Sequence, residues 1–154
     1  MPHITLLYPF RPREEFDRVA GPLGDRAADV RPFDLQLATF DAFRHGRRSF
    51  TMWLRPEPAD RVVALQAALL SAMPDCDDVN RYPEGFRPHL SVGQCRSEPQ
   101  LRELLARLQS DFEPVRFTVD SVAIIWRIGR PDDPFQVDRM IPLTPPPQEV
   151  GPAP

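Results

Sequence analysis

Apolar residues recur along the chain at two different spacings, and each spacing predicts a different element. Residues 3–8 form a β-prone run, His-Ile-Thr-Leu-Leu-Tyr, closed by Pro9, which predicts a short strand. Residues 12–20 carry Glu14 and Glu15 early and Phe16, Val19 and Ala20 on one side, which predicts a short helix ending near Gly21. Alternation at Phe33, Leu35 and Leu37 marks a strand running towards Phe43. The tip Arg44-His45-Gly46-Arg47-Arg48 turns it back into a second strand over 49–55.

Helical spacing follows over 60–73, where Val62, Leu65, Leu69, Leu70 and Met73 share one side and Pro74 closes the run. A polar loop over 74–85 leads to a strand at 88–93. Ser97 opens another helix, with Gln100 completing a capping-box pattern and Leu101, Leu104, Leu105, Leu108 and Phe112 as its apolar stripe. Residues 115–126 read as one long strand, 129–134 as a turn and 135–143 as a last strand. The proline-rich tail, 144–154, is expected to be disordered.

This order repeats. From His3 the strand-opening phenylalanines Phe33 and Phe50 lie 30 and 47 positions on; from His89, Phe117 and Phe135 lie 28 and 46 on. Two β-α-β-β units predict one α+β domain over 1–143. Its pseudo-symmetric lobes, about 1–74 and 85–143, would set antiparallel sheets around a central cleft with helices outside.

Composition narrows the function. The 154 residues suit one compact domain, 42% hydrophobic and 27% charged, with no apolar run of membrane-spanning length. No basic stretch precedes an apolar one at the start, so a cytoplasmic protein is expected, without membrane partners and monomeric. Cys76 and Cys95 lack metal-ligand spacing and read as reduced thiols. A net charge of −3 argues against broad binding of long nucleic acids, while leaving room for a small nucleotide or an RNA terminus. All nineteen basic residues are arginine, a preference that a coding bias shared with the twenty prolines explains better than phosphate binding does. Chemistry built on lysine is closed to this chain.

The candidate chemistry lies in the histidines. Residues two apart in a strand share a face, so His3 projects with Thr5 and His89 with Ser91. Two of the three histidines thus open a repeat unit, each after a proline and each two residues ahead of a hydroxyl. Two imidazoles and two hydroxyls suit general acid–base cleavage of a phosphodiester, with histidine titrating near neutral pH and the hydroxyls donating to non-bridging oxygens. Neither a cofactor nor a metal is called for. Tyr8 and Phe86, close to the motifs, are candidates for pocket lining, and Arg87, Arg127 and Arg130 for substrate phosphate. The hairpin arginines are as well explained by a solvated turn.

The segments PHITLLYPF (2–10) and FRPHLSVGQ (86–94) resemble the paired H-x-S/T signatures of the 2H phosphoesterase superfamily, whose members include proteins named 2′-5′ RNA ligases. The resemblance spans residues 2 to about 143. It implies a two-lobed α+β fold and hydrolysis of 2′,3′-cyclic or related phosphodiesters on RNA ends or nucleotides. His3 and His89 would then be the acid–base pair, His3 as acid and His89 as base, with Thr5 and Ser91 holding phosphate. Family members usually place a strand ahead of the first motif, whereas His3 here is almost at the first residue; either the start lies further upstream or the chain has shed that strand, and in the second case the edge holding His3 is expected to fray. Ligation by the reverse chemistry and a silent nucleotide-binding module are the competing functions.

Overall fold

The sequence's alternating segments pair into two antiparallel sheets in the computed structural model, which describes residues 2–81, 84–130 and 133–144. Strands β1 (Phe33–Gly46), β2 (Ser49–Glu57), β3 (Leu90–Cys95) and β4 (Val115–Val119) form one sheet in the order β3-β2-β1-β4. Strands β5 (Ser121–Trp126) and β6 (Gln136–Pro142) form the other. Helices α1 (Phe16–Ala27), α2 (Ala59–Ala72) and α3 (Glu98–Asp111) complete the α+β architecture.

Alternation gives the larger sheet two different faces. On one, Ala42, Phe50, Met52 and Cys95 pack against Leu101, Leu104, Leu105 and Leu108, the predicted stripe of α3. Burying Phe50 or Leu101 this way stabilises the fold by about 1.5–3 kcal/mol each. Near a bulge between Leu37 and Thr39, Gln109 of α3 acts as a ladder partner: its carbonyl accepts from the Phe40 N–H and its amide donates to the Ala38 carbonyl, both at 2.9 Å. Before the bulge, Phe33 and Leu35 enter a second core with Val19 and Leu23 of α1, Leu65 and Leu69 of α2, and Ile124 and Ile141 of the smaller sheet. Beyond the bulge, the face opposite Ala42 presents Asp41 and Phe43, paired across to Trp53 and Thr51, and Trp53 in turn pairs with Ser91.

Several expectations need correction. Helix α1 does not stop at Gly21 but runs through Pro22 and Gly24 to Ala27, because Leu23 and Ala27 continue the stripe of Phe16 and Val19 into the core. That burial outweighs poor local propensity. The long strand over 115–126 divides at Asp120, with β4 joining β1 and β5 joining β6; the Asp120 carbonyl accepts from the Leu143 N–H at 2.8 Å. Ser97 does cap α3, but without a side-chain cap hydrogen bond, so the capping box is not formed. Residues 2–6 join no ladder, and Tyr8 makes a single parallel bridge to Asp77.

The sheets also do not follow the sequence halves 1–74 and 85–143. β3, from the second repeat, pairs with β2 of the first, and β4 pairs with β1. β1 and β2 pair with each other, and the backbone groups on the remaining edge of each are paired by β4 and β3. The predicted tail beyond Thr144 lies outside the described residues.

Candidate active site

His89 immediately precedes β3, and its neighbours fix its orientation. Its Nδ1 lies 2.8 Å from the Arg87 carbonyl oxygen, which can only accept, so Nδ1 carries the proton. In the neutral ring Nε2 is left with its lone pair. The ring meets Phe43 edge-on at 4.8 Å with an interplanar angle of 87°, and Trp53 at 6.0 Å. Phe43 in turn stacks on Trp53, 4.9 Å away and 19° from parallel. Trp53 is 1% exposed, so this shelf is anchored in the sheet.

Arg87 covers the shelf, its Cζ 4.7 Å from the Trp53 ring centre and 5.4 Å from that of Phe43. Asp41 holds it there: one carboxylate oxygen accepts from Arg87 at 3.0 Å and from Arg55 at 3.1 Å. The other oxygen accepts from the Ala42 N–H at 2.7 Å. Ser91 is exposed on the same face, one pair removed from Asp41.

The first motif belongs to neither sheet, and it borders a cavity of about 480 Å³. His3 and Thr5 line this space with Leu90, the residue between His89 and Ser91. Apart from His3, Thr5 and Ser121 its lining is apolar, including Phe33, Leu35 and Phe117.

His3 has an aromatic neighbour matching that of His89. Its ring meets Phe135 edge-on at 4.8 Å and 73°, and Arg127 Cζ lies 5.0 Å from the Phe135 centre. Each motif histidine therefore stands beside a phenylalanine whose ring also carries an arginine. Gly129, at φ +64°, supplies the left-handed residue in the turn that brings Arg127 and Phe135 together.

The first motif is tied down just beyond its end. The Tyr8 N–H donates to the Cys76 carbonyl at 3.1 Å, and the Asp78 N–H to the Tyr8 carbonyl at 2.8 Å. Arg11 bonds both carboxylate oxygens of Asp75 at 2.5 and 2.6 Å, which raises its own pKa and holds the Asp75 carboxyl below the usual carboxylate range. Cys76 and Cys95 are free and buried, and burial pushes the Cys76 thiol up.

Of the residues singled out from sequence, Arg87 and Arg127 sit beside the motif histidines. Arg130 is exposed at the turn, its N–H bonded to Ile128 and Asp133. Phe86 packs into the main core, and Tyr8 is 57% exposed outside the cavity lining. Sequence reasoning missed Asp41, Phe43 and Phe135 as site residues. The strand running to Phe43 was expected, but the bulge after Leu37 changes which face Asp41 and Phe43 take, and no local pattern states it. Among the described residues no group of three acidic, histidine or cysteine side chains could hold a metal, and no helix is long and apolar enough to cross a membrane.

Residues 1–131 match the family profile described as the 2′-5′ RNA ligase superfamily. Among solved structures, the protein TT0787 of Thermus thermophilus shares the fold, with a TM-score of 0.60 and 21% identity over 94% of this chain and 79% of that one. The curated protein sequences contain no match. The fold, the paired motifs and the extent of the family match agree: the chain belongs to the 2′-5′ RNA ligase superfamily.

Proposed function

We propose that this protein is a metal-independent phosphodiesterase that opens 2′,3′-cyclic phosphates on RNA ends or nucleotides. The observation that carries the reading is the matched setting of His3 and His89, each edge-on to a phenylalanine that an arginine covers. Superfamily membership supports phosphodiester chemistry at these motifs.

His89 is the base. Its Nδ1–H is engaged with the Arg87 carbonyl, so Nε2 takes the proton from an attacking water. The water oxygen forms the new bond to phosphorus, the bond to one ribose oxygen breaks, and protonated His3 gives that oxygen its proton. A phosphomonoester and a free hydroxyl remain. Thr5 and Ser91 donate to the non-bridging oxygens, while Arg87 and Arg127 offset charge as it develops. With a 5′-ribose hydroxyl in place of water as the attacking group, the same step would join RNA ends: the new O–P bond forms as the bond to one ribose oxygen of the cyclic phosphate breaks, and that oxygen takes the proton.

The test is turnover of each 2′,3′-cyclic nucleotide in excess EDTA by wild type, His3→Ala and His89→Ala. Wild-type activity that survives chelation, with a loss of about 10²–10⁴ in either variant, is the expected result. Nucleotide binding without turnover in the wild type would instead support a silent module.

A further inference from the structure

The third histidine and the hairpin arginines have no part in the chemistry above, yet the structure sets them on a line with it. Asp41 and Phe43 share a face of β1 with His45, which reaches across to Thr51, its Nε2 3.0 Å from the hydroxyl. The His45 ring lies 6.3 Å from Phe43, whose ring also meets His89. Thr51 pairs with Gln94 on β3, which is exposed. A polar strip therefore leaves Ser91 and runs along the hairpin towards its tip, about 16 Å from Asp41 to Gly46 at the usual strand rise.

The strip ends in positive charge. Phe50 pairs with Cys95, so Ser49 and Arg96 leave their strands side by side, next to Arg47 and Arg48. All three arginines are exposed, and their guanidinium groups have no acidic partner among the described residues. Arg44 behaves differently: it points to the helical side, 2.7 Å from Glu98 and over the Phe50 ring. Glu98, the nearby acid, is shared with Arg102 at 3.3 Å and so does not neutralise the tip. The chain's net charge is negative, which makes this local concentration of unpaired cations distinctive.

We propose that the β1–β2 hairpin is a track for the RNA strand leading into the reacting phosphate. Arg47, Arg48 and Arg96 take backbone phosphates, and His45 and Thr51 lie beneath the intervening nucleotide. The inference rests on the phosphodiesterase reading and sharpens it: the substrate is the end of an oligoribonucleotide rather than a mononucleotide. Backbone contacts of this kind position a strand without reading its sequence.

Two measurements test it separately from the chemistry. Fluorescence anisotropy of a labelled oligoribonucleotide with a 3′-phosphate reports binding whether or not the protein turns over. Combined Arg47→Ala, Arg48→Ala and Arg96→Ala should weaken it about tenfold or more and flatten the salt dependence by about two, near 0.7 per lost phosphate contact. Arg102→Ala, the same charge removed from α3, should leave it unchanged. In turnover, the triple variant should raise KM for an oligomer ending in a cyclic phosphate and leave kinetics on 2′,3′-cyclic AMP as in wild type. Equal oligomer binding by wild type and triple variant overturns the track, as does an equal loss in Arg102→Ala. Loss of binding in the triple variant alone, with no turnover by wild type, upholds the track and overturns the phosphodiesterase reading.

Discussion

His89 stands edge-on to Phe43, ring centres 4.8 Å apart and planes 87° apart, while its Nδ1–H is held by the Arg87 carbonyl at 2.8 Å. The imidazole is thus fixed on two sides, and the free nitrogen has one direction to face. His3 and Phe135 repeat the relationship at the same distance. Phe43→Leu and Phe135→Leu should therefore lower kcat about ten- to a hundredfold with KM nearly unchanged, since small misplacements of an acid or base are costly. Steady-state kinetics on a cyclic nucleotide check this, and a change confined to KM would contradict it.

Asp41 acts on the site through Arg87. Removing its charge with Asp41→Asn frees the guanidinium that Oδ2 holds. A charge-assisted bond is worth about 1.5–3 kcal/mol, so substrate affinity should fall roughly tenfold or more. In an Arg87→Ala background the same substitution should add little, because the two residues form one unit. Additive losses in KM would show that Asp41 works independently.

Leu23 lies beyond the point where α1 was expected to end, and it is 3% exposed. Leu23→Ala should destabilise the protein by about 2–5 kcal/mol, measured by urea denaturation. A loss below about 0.5 kcal/mol, the range of surface sites, would place the helix end nearer Gly21.

What the sequence made legible follows from how local each cause is. The hairpin, α2 and α3 depend on spacing within a few residues and lie where that spacing put them, whereas the strand expected over 3–8 is not formed and the first motif lies outside both sheets. The continuation of α1 through Pro22 and Gly24 depends on α2 and β6 receiving Leu23 and Ala27, which no local pattern states. The break at Asp120 has the same origin, since two sheets compete for one β-prone run. The site was half legible. Arg87 and Arg127 were within reach because they neighbour the motifs or the last turn, whereas Phe43 and Phe135 meet the histidines only through the tertiary fold.

The Arg11–Asp75 pair anchors the first motif to the loop after α2, and its effect on stability depends on pH with a definite sign. The folded state lowers the Asp75 pKa, chiefly through the Arg11 hydrogen bond. The pair's contribution is therefore complete above the unfolded carboxylate value and lost as pH falls through the lower folded value. Wild type should exceed Asp75→Asn in stability at neutral pH, and the gap should close in acid below the ordinary aspartate range. A gap that is constant with pH would contradict this origin.

The most direct test of the central claim is the pH dependence of kcat/KM for a 2′,3′-cyclic nucleotide, measured throughout in excess EDTA. Two histidines serving as base and acid predict a bell-shaped profile in wild type, with His89→Ala removing the acidic limb and His3→Ala the alkaline limb of whatever activity remains. Activity abolished by chelation, or a profile that neither substitution alters, would contradict the two-histidine account.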